Sequence, residues 1–123
     1  MLAALFANPS NPAAFMRFPA ITPITPGRPD ARLRVEGVLL EPNQPVSVGR
    51  EGDIQVFRQF KWISRRHLEL KIDAQGWLCV RDLNSAAGTY INNLRINGEW
   101  HIVQEKDVIW LGHRGLCLTV TRE

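Results

Sequence analysis

The run His67-Leu68-Glu69-Leu70-Lys71-Ile72-Asp73 alternates polar and apolar residues without a fault. This period of two constrains the fold more than any other feature, because an extended strand sends successive side chains to opposite faces. Arg32-Leu33-Arg34-Val35-Glu36 repeats the pattern, and within Arg114–Val120 the residues Leu116, Leu118 and Val120 share one face. Shorter strands are predicted at Val46–Gly49, Trp77–Asp82, Tyr90–Ile91 and Asp107–Leu111. Turn signals separate them at Glu41-Pro42-Asn43, Gln75-Gly76, Asn92-Asn93 and Asn97-Gly98. No window carries a capped 3.6-residue period, and no internal repeat is present. Many short strands at regular spacing imply an all-β sandwich or barrel.

The first thirty residues obey a different rule. Prolines at 9, 12, 19, 23, 26 and 29 are six of the chain's eight, a density that forbids helix and starves a sheet ladder of donors. Residues 1–31 are therefore read as a Pro-rich N-terminal tail or arm, and residues 32–123 as the folded domain. With 123 residues, 45% of them apolar, the chain can build a core without metal or disulfide staples. No apolar run approaches the roughly 20 residues that span a bilayer. The opening Met1–Ala7 lacks a basic start and stops at Asn8-Pro9, so a secretory signal is set aside. Cys79 and Cys117 fit no metal spacing. They read as buried reduced thiols of a cytoplasmic protein (nuclear in a eukaryote), with a single bridge as the alternative.

Two stretches are overbuilt for mere connection. Between Gly49 and His67 lie Arg50, Arg58, Lys61, Arg65 and Arg66 against only Glu51 and Asp53, which matches the whole chain's formal surplus of +3. These residues fall at strand ends and loops, so positive charge gathers at one end of the sandwich. An arginine fork, a hydroxyl and backbone N–H groups suit a tetrahedral oxyanion. The second stretch, Asp82-Leu83-Asn84-Ser85-Ala86-Ala87-Gly88-Thr89-Tyr90-Ile91-Asn92, leaves little side-chain bulk to obstruct an approaching chain.

Gly49-Arg50, Ser64-Arg65-Arg66-His67 and Asp82-Leu83-x-Ser85-x-x-Gly88-Thr89-Tyr90-Ile91-Asn92 together resemble the ordered signature of forkhead-associated (FHA) domains. Asp107-Val108-Ile109-Trp110-Leu111-Gly112 resembles that family's later acidic-apolar-Gly strand, so the likeness covers roughly residues 32–121. The resemblance implies an eleven-stranded β-sandwich that holds phosphothreonine peptides in the loops at one end. It assigns the phosphate to Arg50 and Ser64, a further contact to Arg65, and the choice of following residues to Lys61 and Trp62. Gly49, His67, Gly88 and Asn92 become structural supports, His67 bracing loops rather than acting as a base. One departure stands out. The peptide-gripping Asn of the family's Asn-Gly-Thr motif is replaced by Ala87, with Ala86 before it. Losing a pair of backbone hydrogen bonds would cost about 1–3 kcal/mol, or roughly 5- to 150-fold in affinity.

The competing chemistries are poorly supplied. Ser64 and His67 sit three apart with no acid to orient the histidine, so a nucleophile–base pair is not built. His67, His101 and His113 make no ligand spacing. Trp77, Trp100 and Trp110 read as core or rim, and Arg58 and Arg66 as solvated charges. The sequence thus describes a non-catalytic signalling module without cofactor, small-molecule substrate, nucleic acid or membrane. Its partners would be phosphothreonine-bearing substrates of a Ser/Thr kinase. The alternative, drawn from Ala87, is phosphorylation-independent interaction or self-association. Thr22-Pro23 and Thr25-Pro26 add the option that a modified tail docks into its own or a neighbour's pocket.

Overall fold

The computed structural model describes residues 32–122. The Pro-rich segment 1–31, with Thr22 and Thr25, lies outside the described residues. The strongest period-two run, His67–Asp73, forms the spine of the fold. β5 (Leu68–Ile72) buries Leu68, Leu70 and Ile72 and turns Glu69 and Lys71 outward. It pairs antiparallel with β6 (Leu78–Asp82) through the Asp73–Trp77 turn, Leu70 opposite Val80 and Leu68 opposite Asp82. Each fully buried aliphatic side chain contributes about 1.5–3 kcal/mol. The outward Glu69–Arg81 ion pair at 2.6 Å, half-exposed on the arginine side, is worth at most about 1 kcal/mol. Burial therefore holds this ribbon, and the charges decorate it.

On the other side of β5 lies β3 (Val46–Gly49), antiparallel, with Val48 opposite Leu68. β4 (Ile54–Gln55) runs parallel to β3 after a very tight loop. Asp53 makes that loop feasible. Its Oδ2 accepts the Ser47 N–H at 2.9 Å and the Ser47 hydroxyl, while its own N–H donates to Ser47 Oγ at 2.9 Å. The Ser47 backbone bond, then the Ser47 hydroxyl, hold the Asp53 carboxyl below its usual range, with a small contribution from the Arg66 charge and burial opposing. β9 (His101–Ile102) completes this five-stranded sheet against β6.

Two three-stranded sheets complete the fold. In one, β7 (Thr89–Ile91) lies between β10 (Ile109–Leu111) and β8 (Leu94–Arg95). In the other, β1 (Leu33–Val35) lies between β2 (Val38–Leu39) and β11 (Val120–Arg122). Among the described residues the fold is all-β with eleven strands and no helix, and so contains no helix long and apolar enough to cross a membrane. The shared core includes Val48, Ile63, Leu68, Leu70, Val80 and Ile109.

One predicted strand differs. Within Arg114–Val120 the inward face is present, with Leu118 and Val120 buried and Leu116 half-buried, but the regular ladder starts only at Val120. Residues 116–118 keep hairpin bonds to β10, from the Leu111 N–H to Leu116 O and from the Leu118 N–H to Ile109 O. Glu36 then takes the chain away. Its carboxylate accepts the Thr119 N–H at 2.6 Å and its own N–H donates to Thr119 O at 2.8 Å, which hands the strand to β1.

Register places the site. β3 ends beside the start of β5, β5 starts beside the end of β6, and Thr89 at the start of β7 faces Leu111 at the end of β10. The loops after β3, before β5, after β6 and after β10 therefore emerge together at one end.

Candidate functional site

Gly49 closes β3 where the next loop crosses it. A Cβ there would lie 2.3 Å from the Arg65 carbonyl oxygen and 2.7 Å from that of Ser64, so only glycine permits the approach. The contact lets the Arg50 N–H donate to Ser64 O at 3.2 Å and the Glu51 N–H to Arg65 O at 2.9 Å. The Arg50 side chain folds back in the same direction, its Nε donating to Ile63 O at 2.5 Å. That bond fixes the half-buried guanidinium beside residue 64, and among the described residues its remaining N–H groups meet no carboxylate.

Ser64 is held from both sides. Its N–H donates to His67 Nδ1 at 3.1 Å, and its Oγ accepts the Ala86 N–H at 3.1 Å. A hydroxyl that already accepts this bond still has its proton to donate. His67 is fully buried, and because Nδ1 accepts, the ring proton sits on Nε2 and donates to Gly88 O at 2.8 Å. Burial pushes the imidazole below its ordinary pKa, only partly offset by the Gly88 bond and the Asp82 charge, which keeps it a neutral brace.

The loop from Asp82 to Thr89 is tied to itself. Asp82 Oδ1 accepts the Ser85 hydroxyl at 2.5 Å and the Thr89 hydroxyl at 2.7 Å, and Oδ2 accepts the Ser85 N–H at 3.0 Å. Ser85 Oγ then accepts the Gly88 N–H at 3.0 Å. Gly88 takes φ +90°, and a Cβ there would lie 3.0 Å from Arg95 Nε. Asn84 turns at φ 60° and is exposed to solvent.

The structure thus brings Arg50, Ser64, His67, Gly49 and Gly88 together. Arg65 sits on the rim, its Nε 3.6 Å from Glu51 with both side chains largely exposed, a contact of little energy. Lys61 is exposed on the same loop. Trp62 is half-buried, 6.0 Å from the Phe60 ring, and packs against Gly112 next to Ala87. Asn92 lies at the far end of β7, where its side chain pins Asp107 and the Val108 N–H, so it supports the sheet rather than the loops. Two cations at this end escape sequence reasoning. Arg95 stands against Gly88, and Arg114 lies 5.1 Å from the Trp62 ring centre. The Asn92-Asn93 hairpin turn, which sets Tyr90 opposite Arg95, was the available signal for the first. Nothing local signals the second. Among the described residues no group of three His, Cys, Asp or Glu is arranged to hold a metal ion.

The sequence profile of the FHA domain matches residues 46–112. The chain is similar to the FHA domain-containing protein FhaA of Mycobacterium tuberculosis, 44% identical over 66 residues. Those residues are 54% of this chain but only 12% of that protein's length. The crystal structure of the FhaA FHA domain complexed with the intracellular domain of Rv3910 is 31% identical with a TM-score of 0.53, covering 73% of this chain and 98% of that one. A structure from a study of phosphothreonine-dependent FHA domain interactions is 28% identical with a TM-score of 0.55, covering 74% and 94%.

Proposed function

The chain belongs to the FHA domain family, and from that premise we propose that its loop end binds phosphothreonine in partner proteins without catalysing a reaction. In this reading residues 32–123 form the binding domain and residues 1–31 an arm. One observation carries it. The Arg50 guanidinium is anchored on Ile63 O beside Ser64, whose hydroxyl proton is unspent, and no carboxylate among the described residues neutralises it. A phosphothreonine brings about −1.5 to −2 charge and three acceptor oxygens. Arg50 supplies the ionic hydrogen bonds, Ser64 one short donor, and Arg65 and Lys61 a surrounding positive field. Trp62 bounds the path of the residues that follow. The partners are proteins modified by a Ser/Thr kinase.

The test is a fluorescence anisotropy titration of a phosphothreonine peptide and its unmodified twin. Wild type should bind only the first. Charge-assisted hydrogen bonds of about 1.5–3 kcal/mol imply that Arg50→Ala weakens binding by roughly 10- to 150-fold, with the thermal midpoint recorded to show an intact fold. Equal affinity for the two peptides would overturn the proposal.

A second reading has its own observation. Ala87 and Trp62 both pack at Gly112, so apolar surface occupies the place of the family's peptide-gripping amide. That favours phosphorylation-independent interaction or self-association, for which partner binding would be unchanged by Arg50→Ala.

A further inference from the structure

The turn after β10 carries a cation that the phosphate grip does not use. Leu111 faces Thr89, so residues 112–115 emerge beside the 83–88 loop. Several contacts pin this turn. The Gly112 N–H donates to Gly88 O at 2.8 Å, and the Leu111 N–H donates to Leu116 O at 2.9 Å. His113 hydrogen-bonds the Tyr90 hydroxyl, with ring centres 4.2 Å apart. Gly112 at φ 77° and Gly115 at φ 86° supply the left-handed backbone that so short a reversal needs. Arg114 is thereby presented outward from a fixed base.

Its guanidinium lies 5.1 Å from the centre of the Trp62 ring. Trp62 in turn is seated on Gly112, where a Cβ would meet its Cζ3 at 2.7 Å and the Ala87 methyl at 3.1 Å. The stack therefore stands next to the residue that replaces the peptide-gripping amide. Among the described residues Arg114 makes no ion pair. A guanidinium lying over an aromatic ring uses its plane for that contact and keeps its N–H edge for an anion.

We propose that Arg114, stacked on Trp62, is a specificity-determining residue that selects peptides bearing an anionic side chain close to the phosphothreonine. The inference rests on the phosphothreonine reading of Arg50 and Ser64. The anion is a carboxylate or a second phosphoryl group on the same peptide, and both present oxygen pairs to the guanidinium fork.

The experiment titrates fluorescein-labelled phosphothreonine peptides in which each flanking position in turn is Asp, phosphoserine, Ala or Lys. The proteins are the full chain as wild type, Arg114→Ala, Arg114→Glu and Arg50→Ala, with thermal midpoints measured for each. At one or more flanking positions wild type should favour Asp or phosphoserine over Lys by about three- to tenfold. Arg114→Ala should flatten that preference and Arg114→Glu reverse it towards Lys. A larger gain for phosphoserine than for Asp identifies a phosphoryl group as the preferred anion, and the converse identifies a carboxylate. No acidic preference in wild type, or one that persists in Arg114→Glu while Arg50→Ala abolishes binding, overturns this inference alone. If Arg50→Ala leaves phosphopeptide affinity intact, the phosphate reading falls and this inference falls with it.

Discussion

Replacing His67 by Gln tests whether the loop end is held by a buried neutral imidazole. His67 is fully buried and its ring makes two hydrogen bonds, accepting from the Ser64 N–H at 3.1 Å and donating to Gly88 O at 2.8 Å. Gln cannot span both partners with the same geometry, and it leaves part of the ring volume empty. One lost bond near 1 kcal/mol, an unsatisfied buried donor and incomplete packing together cost about 2–4 kcal/mol, a large share of a small domain's stability. The pH dependence is more diagnostic. Burial lowers the folded pKa of His67 below its ordinary 6.5, so the unfolded chain takes up the proton first. Protonation also sets an Nδ1–H against the Ser64 N–H. The stability His67 contributes is therefore complete above about pH 6.5 and is lost as pH falls below that value, by at most about 1.4 kcal/mol per pH unit. Urea unfolding followed by tryptophan fluorescence from pH 5 to 8 should show the gap between wild type and His67→Gln narrowing as the solution is acidified. A gap that stays constant across that range refutes the neutral-brace reasoning.

Gly49→Ala should destabilise the domain by about 1–3 kcal/mol and weaken phosphopeptide binding, because its Cβ meets the Arg65 carbonyl at 2.3 Å and must push the Ser64 loop away. Urea midpoints and peptide titration check both, and wild-type values for the pair would contradict the close-packing account. Cys79 should resist iodoacetamide at pH 8 in the folded protein and react once urea is added. Burial, with the Asp73 carboxylate nearby, pushes its thiol up to about 11, leaving roughly one part in a thousand as thiolate. Peptide mapping by mass spectrometry reads the result, and labelling of native Cys79 at the rate of an exposed thiol would refute it.

What could be read from sequence tracks the length of each repeating pattern. The unbroken alternation through 67–73 revealed β5, and Val46–Gly49 coincides with β3, because such runs carry a burial signal of their own. β2, β4, β8 and β9 span two residues each, too few to show a period, and they exist only because a neighbour offers its ladder. Around Thr119 the inward face was legible but the pairing was not, since Glu36 captures the backbone from 83 residues away. At the loop end the basic cluster from Arg50 to Arg66 is contiguous in sequence and visible as such. Arg95 and Arg114 lie far along the chain, and only sheet register delivers them to Gly88 and Trp62. The mutual bonds of Asp82, Ser85 and Thr89 are likewise a tertiary consequence of how one loop closes.

Bonds to one backbone carbonyl explain how several like charges can share one end of a small domain. Gly88 O accepts both the His67 ring and the Gly112 N–H, so the Ser64 loop, the 83–88 loop and the Arg114 turn meet at a single carbonyl. The repulsion among Arg50, Arg65, Arg95 and Arg114 is opposed mainly by geometry fixed in the core, with only the exposed Glu51 carboxylate, 3.6 Å from Arg65, lying against the cluster. Loops already fixed also spare the ligand the ordering cost of about 0.5–1.5 kcal/mol for each side chain it would otherwise immobilise. In the proposed phosphothreonine reading the missing amide at Ala87 forfeits about 1–3 kcal/mol against this. The Arg50 bonds, at about 1.5–3 kcal/mol each, outweigh that loss when more than one forms. In that reading Ala87 moves the weight of recognition from the peptide backbone onto charge, which is the form of binding to which a second stacked arginine can add.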